Sequence, residues 1–521
     1  MTDEIDIRPD DHAFLIARST PPGFSETDDV DTKISTAVNQ LTDLLLSGHA
    51  LAVASSFGKD SSSVLALALK AARNVCERLG PHACPPIRVL FSDTKLDNPV
   101  MVGFARSEIE KVRQYSRQHG LPVKVLIAEP SLSEDHLVNM IGGRSTAVMP
   151  ENKNTCSVDI KVRPMRRLMD QTLKDELSDF AGRTVVLTGK RFSESAARRQ
   201  GMDEHDEVPW EPAERNGQLM LHPIAHWQDD DVFMLIAYVR NNMFDSYSDF
   251  EDLVQIYRDA QEGACMINAV QGQASQSGCG SARGGCWSCN KVSDDKSMES
   301  FLKIPEHQYM APLWHLRNYI KARHHDPEAR NWLAKTMDGD GTVTVGPNAY
   351  GPRFTRELLF MALSIQADEY QWADQHGVEP RFDILDLRQL MAIETLWLRY
   401  GLQQPFETLR ILRRVQEGER LYPPAEQLPG HPNIRTTKEK HQIALSDDQF
   451  GQLFSGLRDA ELALIDQEPL TEKGGKLMTD WGGDAGLSID AESVELFHAI
   501  FADEYLEKYG DGPPSAGVYS L

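Results

Sequence analysis

No apolar run in this 521-residue chain approaches the ~20 residues needed to cross a bilayer. The opening MTDEIDIRPDDH is acidic, unlike a secretory leader, so the expected location is the cytoplasm. Cysteine is scarce: seven residues, an odd number. In a long chain without an export signal that argues against a disulfide framework and for thiol or metal chemistry. Basic residues are outnumbered, 54 Lys and Arg against 78 Asp and Glu, for a net charge of −24. This balance argues against a general nucleic-acid binder, because phosphate contacts need cations. A nucleic acid would have to meet a local basic patch or be brought by a partner. KVRPMRR (161–167) and RFSESAARR (191–199) are the candidate patches, although by charge alone both read as solvated helix faces. The G-x-x-x-x-G-K-[ST] spacing of a Walker A loop is missing, and no internal repeat stands out.

What is present alternates between strand and helix. After a polar arm (1–30), residues 31–47 show helical spacing and stop at Gly48. LAVASS (51–56), IRVLFSDT (87–94), VKVLIAEP (123–130) and TVVLTGKR (184–191) read as strands. Helical stretches separate them: SSVLALALKAARNVCERL, NPVMVGFARSEIEKVRQYSRQHG and 163–180. Such alternation predicts right-handed βαβ units, a parallel sheet with helices on both faces, and a ligand at the carboxyl ends of the strands.

The stretch SSFGKDSS opens the first of these helices. Gly58 allows close backbone approach, Ser56 and Ser61 offer hydroxyls, Lys59 a point charge, and the helix start a positive dipole end. The segment reads equally as an anion cradle or as a Ser-rich N-cap with Asp60 on the dipole.

SSFGKDSS resembles the PP-loop of the ATP-pyrophosphatase superfamily, Ser-Gly-Gly-x-Asp-Ser. Ser56, Gly58, Asp60 and Ser61 match, and Phe57 stands where the first Gly is expected. The Lys between Gly and Asp is typical of its PAPS-reductase-like branch. FSDTKLDNP (91–99), TCSVDIKVRPM (155–165), GKRFSESAARR (189–199) and HPIAHWQDDDVFMLI (222–236) resemble further elements of that branch in order, over roughly residues 45–300. The resemblance implies an adenine-nucleotide α-hydrolase (HUP-like) α/β fold and cleavage of ATP to AMP and pyrophosphate. It implies ATP binding by Ser55, Ser56, Phe57, Gly58, Lys59, Asp60, Ser61 and Ser62, with Asp93, Thr94, Gly189 and Arg191. Lys59, Arg191 and Arg198 are the expected phosphate contacts, against surface salt bridging as the plainer role for the two arginines. Asp60 or Asp93 is the expected holder of Mg²⁺, a cation that prefers carboxylate and phosphate oxygens.

Cys265, Cys279, Cys286 and Cys289 form C-x13-C-x6-C-x2-C, a four-thiolate set able to hold zinc or an iron–sulfur cluster. The first pair is too widely spaced for a zinc ribbon, which points to a cluster. Cys76 and Cys84 read as structural. Cys156 reads as a catalytic persulfide carrier or an alternative ligand.

A PP-loop followed by Cys–Gly–Ser–x–Arg–x–Gly–Cys–Trp–x–Cys resembles the DndC family of DNA phosphorothioation proteins and its counterpart SspD. That resemblance implies a 4Fe–4S cluster, DNA as substrate, a cysteine desulfurase as sulfur donor, and other phosphorothioation proteins as partners. The expected organisation is a PP-loop domain over 31–245, a cysteine segment over 246–300 and a mostly helical domain over 301–521. YGPRFTRELL (350–359) resembles a segment of DndC-like tails, and RNYIKARHH (317–325) and HPNIRTTKEKH (431–441) read as the most basic surfaces there. Two alternatives stay open. A tRNA thiolation enzyme would have an N-terminal Cys-x-x-Cys ribbon, which is missing. A phosphoadenylylsulfate reductase would need a late catalytic Cys, and no Cys follows Cys289.

Overall fold

The computed structural model describes residues 20–151, 156–194, 199–200, 202, 204, 207–215, 217–260, 285–337, 342–426, 428–434, 442–444, 470–473, 476–479, 489 and 491–501. Helix α1 (Val30–Leu46) starts where Asp29 accepts the Thr32 N–H. Strand β1 (Ala50–Ala54) runs into α2 (Lys59–Leu79), and β2 (Ile87–Ser92) into α3 (Pro99–His119). Asn98 caps α3, Pro99 supplies the preset φ of a first helical residue, and Gly120 closes it in the left-handed region at φ 62. Then follow β3 (Val123–Ala128), α4 (His136–Ile141), α5 (Arg163–Asp175), β4 (Thr184–Leu187), β5 (Ala213–Arg215) and β6 (Gln218–Leu221).

The six strands lie in the order β3-β2-β1-β4-β6-β5. All pairs are parallel except β5 with β6. Leu51, Val53, Ile87, Val89, Val185 and Leu187 face a core shared with α1, α2 and α3. Ala52, Leu90 and Val186 face the other side, under Met165, Leu168 and Met169 of α5. Both faces are therefore covered, which is why β1 and β4 are continuous apolar runs. The chain leaves β1 outward to β2 and β3 and returns to β4 on the opposite side. That reversal opens a crevice at the carboxyl ends of β1 and β4. The two short strands β5 and β6 extend the expected four; their polar AERNGQLML carries no strand periodicity.

The C-terminal region is helical, with helices Ala311–Arg323, Pro352–His376, Leu387–Arg399 and Glu407–Gln416. It also holds an antiparallel pair, Arg330–Met337 with Thr342–Tyr350, joined by Gln442–Ala444. Its core takes in residues from the first half of the chain: Leu96, Leu137, Val138, Met140, Ile141 and Ile160. Trp397 Nε1 donates to Ile141 O at 2.8 Å, and Gln389 Nε2 to Asp135 Oδ2 at 2.7 Å. Helix α4, although it belongs to the first half of the chain, thus packs in the core of the C-terminal region.

Two imidazoles on the segment leaving β6 are buried, His222 and His226, at 1% and 2% exposure. Burial lowers both to a pKa of about 4 from 6.5, helped by Lys190 at His222 and Lys33 at His226. Because the folded pKa lies below the unfolded one, the neutral rings stabilise the fold fully above pH 6.5, and that contribution is lost as pH falls toward 4. At about pH 5 the expected loss is roughly 2 kcal/mol per ring. Urea unfolding at about pH 7 and pH 5 should show it, with His226→Gln removing one share. A midpoint insensitive to pH over this range would contradict the assignment.

Candidate functional site

The crevice between β1 and β4 is built from their two exits. After β1, Ser55 accepts the Phe57 N–H at 3.1 Å, and Ser61 Oγ bridges Ser56 N at 3.2 Å and Gly58 O at 3.1 Å. Gly58 stands at the N-cap of α2 and has no side chain to cap it, while Tyr257 Oη accepts the Lys59 N–H at a long 3.5 Å. The N–H groups of the first turn are what an anion would take. After β4, Gly189 crosses the start of α2 so closely that a Cβ there would lie 2.8 Å from Asp60 C and 2.9 Å from Ser61 N. Only glycine fits at that crossing.

Phe57 occupies the left-handed region at φ 55, the conformation for which a glycine is expected in this loop. Its ring is fully buried and packs on Phe91 with centroids 5.6 Å apart. The backbone strain costs about 1–2 kcal/mol, whereas deleting a buried phenyl costs about 3–5. Phe57→Gly should therefore destabilise the protein by about 2 kcal/mol in urea unfolding, although it relieves the strain. A more stable variant would show that the ring contributes little.

Four charged groups meet at this crevice. Arg191, 2% exposed, donates from Nε to Asp60 Oδ1 at 2.7 Å and from Nη2 to Asp229 Oδ1 at 2.6 Å. Its Nη1 donates to Ser193 Oγ at 2.9 Å. Lys59 Nζ reaches Asp229 Oδ1 at 2.7 Å and both Asp60 oxygens at 3.1 Å. Burial works to raise the Asp229 carboxyl, but the Lys59 hydrogen bond and the two cations hold it below its ordinary value. The two cations and two carboxylates cancel, so Lys59 and Arg191 are oriented and already desolvated rather than free.

Of the other expected nucleotide contacts, Ser62 is fully buried and its N–H is spent on Gly58 O, so neither its hydroxyl nor its N–H is turned to the crevice. The Phe57 side chain likewise faces the core. At the exit of β2, Asp93 Oδ1 accepts the Lys95 N–H at 2.9 Å, and Thr94, 1% exposed, accepts from Leu96 N at 3.2 Å. Arg198 lies outside the described residues. Asp229 was not singled out from the sequence. In the run QDDDV, Asp231 caps the helix Asp229–Arg240 by accepting from Gln228 N, and this leaves Asp229 to reach the cations.

The cysteine turn is stitched to this same edge. Asp97 and Cys286 form an antiparallel bridge, with Asn98 N donating to Gly285 O at 3.2 Å and Trp287 N to Leu96 O at 2.9 Å. Cys289 N closes the turn on Cys286 O at 3.0 Å. Arg317, read from the sequence as surface, is fully buried; it donates to Cys289 O at 2.7 Å and Val292 O at 2.8 Å. Cys156 stands just before a π-wound turn, Val158–Val162, that leads into α5. Cys156, Cys286 and Cys289 lie near enough to feel one another's charge. Cys265 and Cys279 lie outside the described residues.

Burial raises the Cys156 thiol, with the Cys289 charge adding to it. Burial pushes Cys286 up to about 12, with Asp97 adding and Lys161 opposing. Such groups become thiolates only when a bound cation stabilises them, which favours ligands over a free persulfide carrier. Among the described residues, no three thiols have sulfurs all within 4.8 Å of one another. Thiolates on one zinc sit about 3.8 Å apart, given Zn–S bonds of about 2.3 Å. Cys156, Cys286 and Cys289 are the described thiols that could hold a metal ion or an iron–sulfur centre. Cys76 and Cys84 are buried together against α2, away from this site.

Residues 50–244 match the phosphoadenosine phosphosulfate reductase domain family. No curated protein matches the chain. Among solved structures it is similar to the phosphoadenylyl-sulfate reductase of Candida auris in its phosphate complex, at 16% identity over 42% of this chain and 87% of that one, with a TM-score of 0.25. It is also similar to the U34-tRNA thiolase NcsA of Methanococcus maripaludis with its [4Fe-4S] cluster, at 15% identity over 47% and 78%, with a TM-score of 0.26. No helix among the described residues is long and apolar enough to cross a membrane. Residues 50–244 thus form an α/β domain of the phosphoadenosine phosphosulfate reductase type, carrying a helical C-terminal region behind it.

Proposed function

We propose that this protein uses ATP to activate a backbone phosphate of DNA and exchanges one of its non-bridging oxygens for sulfur. The observation that carries the reading is the stitching of the cysteine turn, through Asp97 and Cys286, to the exit of β2. It sets a thiol centre on the same sheet edge as a glycine-capped helix start flanked by two oriented cations. The domain match supports a nucleotide-utilising, sulfur-transferring role, and the cysteine pattern resembling DndC supports DNA as the acceptor. KVRPMRR begins five residues after Cys156, with the Lys161 and Arg163 side chains 49% and 60% exposed, as a local contact for a polyanion.

The transfer to phosphorus is redox-neutral once sulfur is at the sulfide level. A DNA phosphate oxygen attacks the α-phosphorus of ATP, the bond to the β-phosphate breaks, and pyrophosphate leaves. Sulfur at the sulfide level then attacks the adenylated DNA phosphorus, and AMP departs with the former DNA oxygen. Lys59 and Arg191 stabilise the charge that builds on the phosphates, and the N–H groups of α2 orient them. Asp60 and Asp229 are the residues that would hold Mg²⁺ beside the triphosphate. A 4Fe–4S cluster held by Cys156, Cys286 and Cys289 would supply a site for sulfide or for electrons. A cysteine desulfurase is the proposed sulfur source: it delivers sulfur as a persulfide, and an external dithiol reduces this to sulfide, leaving as its disulfide, before the attack on phosphorus.

The reading is tested by mass spectrometry of nuclease-digested DNA and tRNA from cells carrying the native gene cluster, wild type against Asp60→Ala. Phosphorothioate dinucleotides should vanish from the DNA of the variant while thiolated tRNA nucleosides persist. Loss of a thiolated tRNA base instead, with no sulfur in DNA at any stage, would transfer the protein to tRNA thiolation.

A further inference from the structure

One constellation takes no part in the proposed reaction. His324 and His325 follow the helix Ala311–Arg323, and Glu151 comes to them from the segment that precedes Cys156. One ring nitrogen of each histidine and a carboxylate oxygen of Glu151 all lie within 4.8 Å of one another. His325 Nε2 is 3.1 Å from Glu151 Oε1. Two ligands on a tetrahedral zinc with bonds of about 2.0–2.1 Å stand about 3.3 Å apart, so this pair is already at ligand spacing.

His324 is 4% exposed, and its Nδ1 lies 3.0 Å from Tyr350 Oη, which also accepts the Ala147 N–H at 3.3 Å. A hydrogen-bond partner on the far nitrogen is what orients a ligating imidazole, and it leaves Nε2 for a metal. His325 Nδ1 accepts the Ile434 N–H at a long 3.4 Å. A metal on Nε2 would place the ring proton on Nδ1, and this weak contact would be exchanged for water. Arg330 is the nearby cation, and its N–H groups are directed to His324 O and Pro347 O.

We propose that Glu151, His324 and His325 form a binding site for a zinc-class divalent cation, with water completing the tetrahedron. Two imidazoles and a carboxylate suit Zn²⁺ over Mg²⁺ or Ca²⁺, which take oxygen ligands. The site lies at the base of both thiol arms: Glu151 is five residues before Cys156, and Lys291, two residues after Cys289, donates to Pro150 O at 2.9 Å. A cation here staples the segment leading to Cys156 onto the C-terminal layer.

The test is metal content of the anaerobically purified full chain after dialysis against Zn²⁺, compared with Glu151→Gln and His325→Ala. Co²⁺ absorption separates ligand types, because thiolates give an intense sulfur-to-cobalt band and nitrogen or oxygen ligands do not. The expected result is one Zn²⁺ fewer per chain in each variant, with the sulfur-to-cobalt band unchanged. Glu151 is exposed and glutamine keeps its shape, so Glu151→Gln decides the matter if His325→Ala fails to fold. Equal zinc in wild type and Glu151→Gln would overturn the site. So would zinc lost only on Cys286→Ser, which would assign the ion to the thiols.

Discussion

Asp60→Asn should stop ATP cleavage and leave the protein folded. Asp60 Oδ1 accepts from Arg191 at 2.7 Å and from Lys59 at 3.1 Å. An amide oxygen can still accept those bonds, but one of the two negative charges balancing two cations is gone. Removing one partner of a buried ion pair costs about 3–5 kcal/mol when the other charge is stranded. Arg191 is not stranded here, because Asp229 at 2.6 Å and Ser193 at 2.9 Å remain. The expected stability loss is therefore only about 1–2 kcal/mol. Turnover should fall at least about 100-fold, since a site that works by preorganised charge loses that much with one misplaced group. The measurement is AMP and pyrophosphate release from MgATP, in parallel with urea unfolding. Wild-type turnover in a folded variant would move the chemistry elsewhere, and ADP with phosphate as products would sink the PP-loop reading.

Cys286→Ser should remove iron and acid-labile sulfide from anaerobically purified protein. The reason is electrostatic. With burial pushing Cys286 up to about 12, the thiolate exists only when a bound cation pulls the proton off. A serine hydroxyl, less acidic still, cannot replace it. Cys156→Ser is the informative companion. If Cys156 is a ligand, iron falls as far as it does in Cys286→Ser; if it carries sulfur, iron stays and DNA sulfur disappears. Cys84→Ser, in the α2 corner, should keep the full iron complement. A colourless, zinc-filled anaerobic preparation would give the thiols a single-ion role.

The sheet was legible because β1, β2, β3 and β4 are apolar runs separated by long helical periods, and a parallel sheet buried on both faces demands that pattern. The loop was legible because Gly58, Asp60 and Gly189 serve backbone approach and charge, which few other residue types can do. What escaped was set by tertiary contact. Asp229 is one of three consecutive aspartates, and nothing local says which one caps the helix and which reaches Arg191. Arg317 looks like a surface residue until the carbonyls of Cys289 and Val292 are placed around it. Cys156 lies more than a hundred residues from Cys286, and contacts remote in sequence bring the two segments together: Lys161 reaches Asp97, whose backbone bridges Cys286, and Lys291 donates to Pro150 O. The antiparallel pair Arg330–Met337 and Thr342–Tyr350 escaped because its neighbours read so strongly as helix.

That α4 comes from the first half of the chain yet packs in the C-terminal core bears on how the chain can be cut. A fragment ending after the six-stranded sheet would retain Leu137, Val138, Met140 and Ile141 but lose Trp397, Leu396 and Phe354, the side chains that cover them. Each bared side chain forfeits about 1.5–3 kcal/mol, and together they make a sticky patch beside an unsupported Asp135. A nucleotide-binding fragment liberated by proteolysis should therefore aggregate rather than persist as a soluble half, and the two halves are expected to be inherited, expressed and degraded as one unit.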